Sequence, residues 1–386
     1  MLAITNARIH TVANGVINGG TILWEDGKIA AVGQNVAIPP TARVIDAKGQ
    51  VVTPGLIDEH SHVGGWEEGL GWEGNDINEF TDPSTPQLSI LDGINPFDIG
   101  FADARRGGVT TVQTMPGSGN VIGGLMLAMK TSGQIVDRMV LKHPTGMKAA
   151  LGENPKRNYG SQRQAPSTRM GMAAMLRDYL LRARQYVERQ QRGEGDCKYD
   201  EKLEGLALVI KREIPLRIHC HRADDILTAI RIGKEFNIEV TLEHCTEGHK
   251  VAEVIATSGV AACVGPAVWQ RAKVETRDIS PTTPGVLTKA GAKVAIITDH
   301  NIVPQHYLRI AVGIVIREGM PDEEALRAVT INAAEIIGVA DRVGSLEVGK
   351  DADLVLWSDD PFEPLTKCLL TVIDGEIVYQ HTEEEK

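Results

Sequence analysis

VVTPGLIDEHSH, residues 51–62, is the stretch from which the fold is read. It is an apolar run that ends on His60 and His62. On extended backbone successive side chains alternate between faces, so two imidazoles two residues apart share a face and can grip one ion. Three further strand-like runs end in the same way. PLRIHCH (215–221) ends on His219 and His221, VTLEHC (240–245) carries His244, and VAIITDH (294–300) carries Asp299. About one strand–helix unit separates His219 from His244, and about two separate His244 from Asp299. Ligands at the C-terminal ends of successive strands would converge over one barrel mouth, where (β/α)8 barrels carry their active sites.

Outward from these runs, apolar strand-like segments alternate with amphipathic ones. Strands are expected at 51–57, 109–114, 147–151, 216–218, 240–242, 260–264 and 294–297, with an eighth inside 121–140. Met172, Met175, Leu176, Tyr179, Leu180, Ala183 and Val187 follow helical spacing and predict a helix over 169–189. A second helix is expected over 321–337, opened by Pro321 and the acids at 322–324 and stopped by Gly338. This is the pattern of an α/β fold with a (β/α)8 TIM barrel over 51–340, a doubly wound sheet being the alternative. The two ends read differently. Short β-type runs are punctuated by Asn14-Gly15, Asp26-Gly27 and Asp374-Gly375, dipeptides that supply the positive φ of tight hairpins. An isolated hairpin is marginal, so residues 1–50 and 341–386 are expected to join in one small β-sandwich domain.

Composition narrows the function. The 386 residues carry a formal net charge of −11, which offers no global field for nucleic acid or an anionic membrane. No apolar run is long enough to span a bilayer, and the N-terminus lacks the pattern of a signal peptide. The five cysteines (Cys197, Cys220, Cys245, Cys263 and Cys368) are odd in number and form no CxxC, which reads as free thiols in a cytoplasmic protein. GSGNVIGG (117–124) lacks the GK[ST] of a phosphate loop. The expected partner is a small-molecule substrate, with no nucleic acid and no membrane; homo-oligomerisation is left open.

The pieces TPGLIDEHSH, GVTTV (108–112), IHCH, LEHC, TDH, TINAAEIIGV (330–339) and RVGSLEVGKDADLVLW (342–357) span nearly the whole chain. In this combination the sequence resembles the amidohydrolase superfamily, and within it the imidazolonepropionase-like and Xaa-Pro dipeptidase-like branch. The resemblance implies a distorted (β/α)8 barrel with a β-sandwich built from both termini. It also implies one or two divalent ions, zinc first, with manganese or iron as alternatives. His60 and His62 match the ligands of the more buried metal, His219 and His244 those of the second. His221 is implied to serve the substrate or to support a ligand. Asp299 matches the aspartate that ligates metal and takes a proton from the attacking water. Histidine and carboxylate suit such ions, and a carboxylate hydrogen-bonded to water can act as a base. The implied reaction is hydrolysis of a C–N bond in an amide, peptide or lactam. A mononuclear deaminase of the same superfamily and a metal-free scaffold are its rivals.

The fourth strand offers two candidates for the carboxylate that bridges two ions. In GMKAALGENPKR (146–157), Lys148 is placed like a lysine carboxylated on its amine, whereas Glu153 needs no modification and is slightly favoured. Specificity is expected from loops. Segment 64–98 is long, rich in Gly and Asp, and carries Trp66, Trp72 and Phe80. Segment 142–169 gathers basic residues, among them His143, Lys156 and Arg157, as candidate contacts for a substrate carboxylate.

Overall fold

A computed structural model describes residues 1–193 and 198–382 of the chain. Among the described residues the strands form two sheets of eight. The barrel sheet takes β6 (Leu56–Ser61), β7 (Val109–Thr114), β8 (Ile122–Lys130), β9 (Val140–Ala150), β10 (Leu216–Cys220), β11 (Val240–His244), β12 (Ala261–Val264) and β13 (Val294–Ile296), in sequence order. It closes on itself through backbone bonds from Asp299 N to His60 O (3.2 Å) and from His62 N to His300 O (2.8 Å). β6, β10 and β11 are buried along their whole length, as strands covered on both faces must be.

The terminal sheet runs β16-β15-β14-β5-β1-β2-β3, with β4 paired to β1. Its strands are β1 (Leu2–His10), β2 (Val16–Glu25), β3 (Lys28–Gly33), β4 (Arg43–Asp46), β5 (Val51–Pro54), β14 (Leu354–Trp357), β15 (Cys368–Ile373) and β16 (Glu376–Gln380). Both ends of the chain therefore share one sheet. It has its own core, in which Ile4, Ile22, Trp24, Val52, Leu354 and Val372 pack together.

Three local expectations are corrected. The run 51–57 is two strands, not one: β5 joins the terminal sheet, and the chain then turns at Gly55 to enter the barrel as β6. Glycine is required there, since a Cβ would lie 2.1 Å from Thr110 Oγ1. The eighth strand, β8, runs antiparallel to β7 and to β9, so β7 and β8 are not joined by a crossover helix. The helix expected over 321–337 is two, Asp322–Ala328 and Ile331–Ile337. Between them Val329 O accepts the amide of Ile57 at 2.8 Å, so this carbonyl serves the barrel strand instead of a helix. Gly338 does end the second helix, in left-handed backbone at φ 73°. The helix Arg169–Gln191 forms as expected, with Thr168 Oγ1 capping it by accepting the amide of Gly171 at 3.0 Å.

Candidate metal centre

Each imidazole of the expected set sits at the mouth end of its strand, and the backbone there is built to turn it inward. His244 and Asp299 adopt left-handed backbone, at φ 71° and φ 55°. Non-glycine residues hold that conformation only where their surroundings enforce it, and such positions gather at functional sites. Two groups result. The ligand atoms of His60, His62 and Asp299 lie within 4.8 Å of one another, and so do those of His219, His221 and His244. Asp299 Oδ1 is 3.2 Å from His62 Nε2 and 3.5 Å from His60 Nε2. The two groups adjoin, since the rings of His60 and His244 are 4.6 Å apart between centroids.

In four of the five histidines the ring nitrogen facing away from the mouth is held by a partner. His62 Nδ1 is 2.8 Å from Met115 O, and His244 Nδ1 is 2.9 Å from Gly265 O. His221 Nδ1 is 2.7 Å from Thr246 Oγ1, and His60 Nδ1 is 2.6 Å from Glu243 Oε2. Such bonds fix the ring so that its Nε2 lone pair is free for an ion. Burial keeps the rings of His60, His219, His221 and His244 neutral. It lowers His60 to about 4 and His221 to about 3, and it holds His219 and His244 well below the ordinary histidine value. Burial works against the Asp299 carboxylate, yet its bond to His62 and the nearby His60 and Lys148 outweigh it and hold the group below its usual range. Both ring nitrogens of His219 are buried without a partner. Neutral imidazoles, an ionised carboxylate and an orphaned ring fit a divalent cation.

The two strand-4 candidates fall in different places. Lys148 is fully buried on β9, with Nζ 3.3 Å from His60 Nε2 and 3.0 Å from Met115 Sδ. Burial lowers its amine to about 8. Glu153 lies past the strand as the first residue of the helix Glu153–Gly160, where its Oε2 accepts the amide of Glu275 at 3.4 Å. The structure does not bring His143 to the mouth. It sits seven residues before Ala150, about 20 Å down β9, and shares a hydrogen bond of 2.9 Å with Ser89 Oγ. Lys156 and Arg157 are exposed on the helix that begins at the mouth. The long segment 64–98 is tied to the mouth where Asn301 Nδ2 donates to Trp66 O at 2.6 Å, while Trp72 is 91% exposed.

Sequence reasoning missed the acids beneath and beside the histidines. Glu243 and Glu59 each precede a ligand in a Glu-His pair, and on one buried layer they share Arg217, whose Nε lies 2.9 Å from Glu243 Oε1. The repeated dipeptide was the available signal. Glu275, in the short turn Val274–Thr276, had none, because it lies in a loop without periodicity. Four cysteines, Cys220, Cys245, Cys263 and Cys368, are free and buried, and Cys197 lies outside the described residues.

The model of the amidohydrolase family matches residues 51–378. The chain is 39% identical to an amidohydrolase from Thermotoga maritima MSB8 of known structure, superposing at a TM-score of 0.95 over 99% of this chain and 100% of that one. It is 24% identical to the imidazolonepropionase of Sphingopyxis alaskensis, covering 93% of this chain and 92% of that protein. It is 29% identical to amidohydrolase tasK of Hapsidospora irregularis over 92% of its own length, but it spans only 39% of that larger protein. No helix among the described residues is long and apolar enough to cross a membrane.

Proposed function

The chain belongs to the amidohydrolase family, and from that premise we propose that it is a metal-dependent hydrolase opening a C–N bond in a cyclic amide, a peptide or an N-acyl amino acid. The observation that carries this reading is the contact of Asp299 with His60 and His62 beside a second group of three neutral imidazoles. In the proposal His60, His62 and Asp299 hold one ion, and His219 and His244 hold the other. When bound, such an ion lowers the pKa of water and polarises a carbonyl oxygen.

This chain's residues supply the rest. Asp299 stays ionised at neutral pH, so its carboxylate can accept a proton from the attacking water and return it to the leaving nitrogen. Lys148, not Glu153, is proposed as the bridging ligand. Its amine is buried beside His60 and eased toward its neutral form, which is the form that combines with carbon dioxide, losing a proton to give a carbamate. Glu153 instead faces the loop that carries Glu275. The exposed Lys156 and Arg157 are proposed to meet a carboxylate on the substrate.

Elemental analysis beside a hydrolysis screen of dipeptides, N-acyl amino acids and lactams tests the reading. About two ions per chain with turnover of one of these classes is expected. One ion per chain with release of ammonia from an aminated heterocycle would turn the proposal to the deaminase. No bound metal and no turnover would turn it to the scaffold.

A further inference from the structure

The loop that follows β12 folds back over the barrel mouth and delivers one acid to it. Glu275 is 1% exposed. Its two oxygens have different surroundings. Oε2 accepts the backbone amide of Glu153 at 2.8 Å, which fastens the loop to the end of β9. Oε1 is buried and makes no hydrogen bond. It stands 3.7 Å from His219 Nε2 and 3.7 Å from His221 Nε2. Lys273 is the nearest cation, 4.0 Å away, but its Nζ bonds Asn154 Oδ1 at 3.1 Å.

A separation of 3.7 Å is too long for a hydrogen bond, and a carboxylate oxygen buried without a partner is costly. Two ligand atoms that each lie about 2.1 Å from one tetrahedral ion are separated by about 3.4 Å, close to what is observed on both sides of Glu275. The partners are also complementary. His219 lacks a partner at either ring nitrogen, and Thr246 occupies His221 Nδ1, which leaves Nε2 to face Oε1. We infer that Glu275 is a carboxylate ligand of the second ion, which it holds together with His219, His221 and His244. The inference rests on the metal-dependent reading above and goes beyond it. Each ion would then have one carboxylate beside its imidazoles, Asp299 on one side and Glu275 on the other. His221 becomes a ligand instead of a residue that serves the substrate or supports a ligand.

Glu275→Gln tests this, because glutamine keeps an oxygen for the Glu153 amide and gives up the charge. Zinc binding to metal-free wild type and variant is followed by competition with a chromophoric chelator, with bound metal counted by elemental analysis. Wild type should bind two equivalents. The variant should keep one and bind the other at least ~10-fold more weakly. The metal-free proteins should unfold at the same temperature. If the variant does not fold, Glu275→Asp draws the carboxylate back by one methylene and should weaken the same equivalent. A second equivalent bound within ~2-fold of wild type in the variant measured overturns the inference while leaving the metal-dependent reading standing. Wild type that binds no zinc overturns both.

Discussion

Glu243 Oε2 lies 2.6 Å from His60 Nδ1, and both side chains are closed to solvent. The bond places a proton on Nδ1 and leaves the lone pair of Nε2 facing the mouth. Glu243 is itself held, with Oε1 accepting from Arg217 Nε at 2.9 Å and from Thr241 Oγ1 at 3.0 Å. Burial alone would raise its pKa, but Arg217 and His60 overcome that and lower it to about 2, so a charged acceptor stands behind the ligand. Glu243→Gln should therefore weaken the ion bound by His60 by ~10–100-fold with little loss of secondary structure. Chelator competition and circular dichroism make the comparison. An unchanged affinity would mean that the orientation of His60 is set by its packing alone.

A second buried cluster ties the two sheets together. Lys130, at the end of β8, reaches Asp353 at 2.5 Å, Asp351 at 3.0 Å and Asp374 at 3.1 Å, three acids from the C-terminal part of the chain. Lys28 and Arg342 also pair with Asp351, whereas Asp353 is paired with Lys130. Lys130→Met would leave Asp353 buried without its cation, and breaking such a pair costs ~3–5 kcal/mol. Denaturant unfolding should show a loss of that order with the metal content of the folded protein retained. A loss below ~1 kcal/mol would mean that water or the remaining cations take over the lysine's role.

The strand-4 ligand is separable by chemistry. If Lys148 carries a carbamate, Lys148→Ala should lose turnover and part of its metal, and short-chain acids should restore some of both by supplying the missing carboxylate. Glu153→Ala should lose far less, since its side chain meets the amide of Glu275 and not the histidines. The reverse ranking, with Glu153→Ala inactive and Lys148→Ala active, would return the bridge to Glu153.

The parts of this protein that sequence displays are those with local rules. The Asp26-Gly27 and Asp374-Gly375 turns take positive φ at both residues, 49° and 77°, then 48° and 79°, and join the strands they were expected to join. The proposed metal-ligand residues stood out because they end apolar runs. Direction is not local. An apolar run such as β8 reads the same in a parallel or an antiparallel neighbourhood, so its reversal had no trace in the spacing. The single helix expected over 321–337 failed for a related reason, since the Val329 carbonyl is claimed by Ile57, hundreds of residues away in sequence. Glu275 is the extreme case. Its place beside His219 depends on the path of a loop, and no residue pattern around it announces that path.

Asp299 follows β13 in the apolar run VAIITDH, and its Oδ1 is within 3.5 Å of two imidazole nitrogens. Its carboxyl is ionised far below neutral pH, so it is ready to accept a proton across the working range. Removing that capacity acts on the transition state more than on substrate binding. Asp299→Asn should keep the fold and most of one metal equivalent, held by His219, His221 and His244. Its kcat should fall at least ~10²-fold, with KM changed far less. His300→Ala serves as the comparison. The ring of His300 turns away from the His60–His62–Asp299 group: its Nδ1 accepts the amide of Gln305 at 3.3 Å, and its Nε2 lies 3.5 Å from Glu68. That variant should lose stability, because a buried ring is removed, while the folded fraction keeps a kcat within ~10-fold of wild type. Equal losses of kcat in the two variants, or an Asp299→Asn protein near the wild-type rate, would take proton transfer away from Asp299.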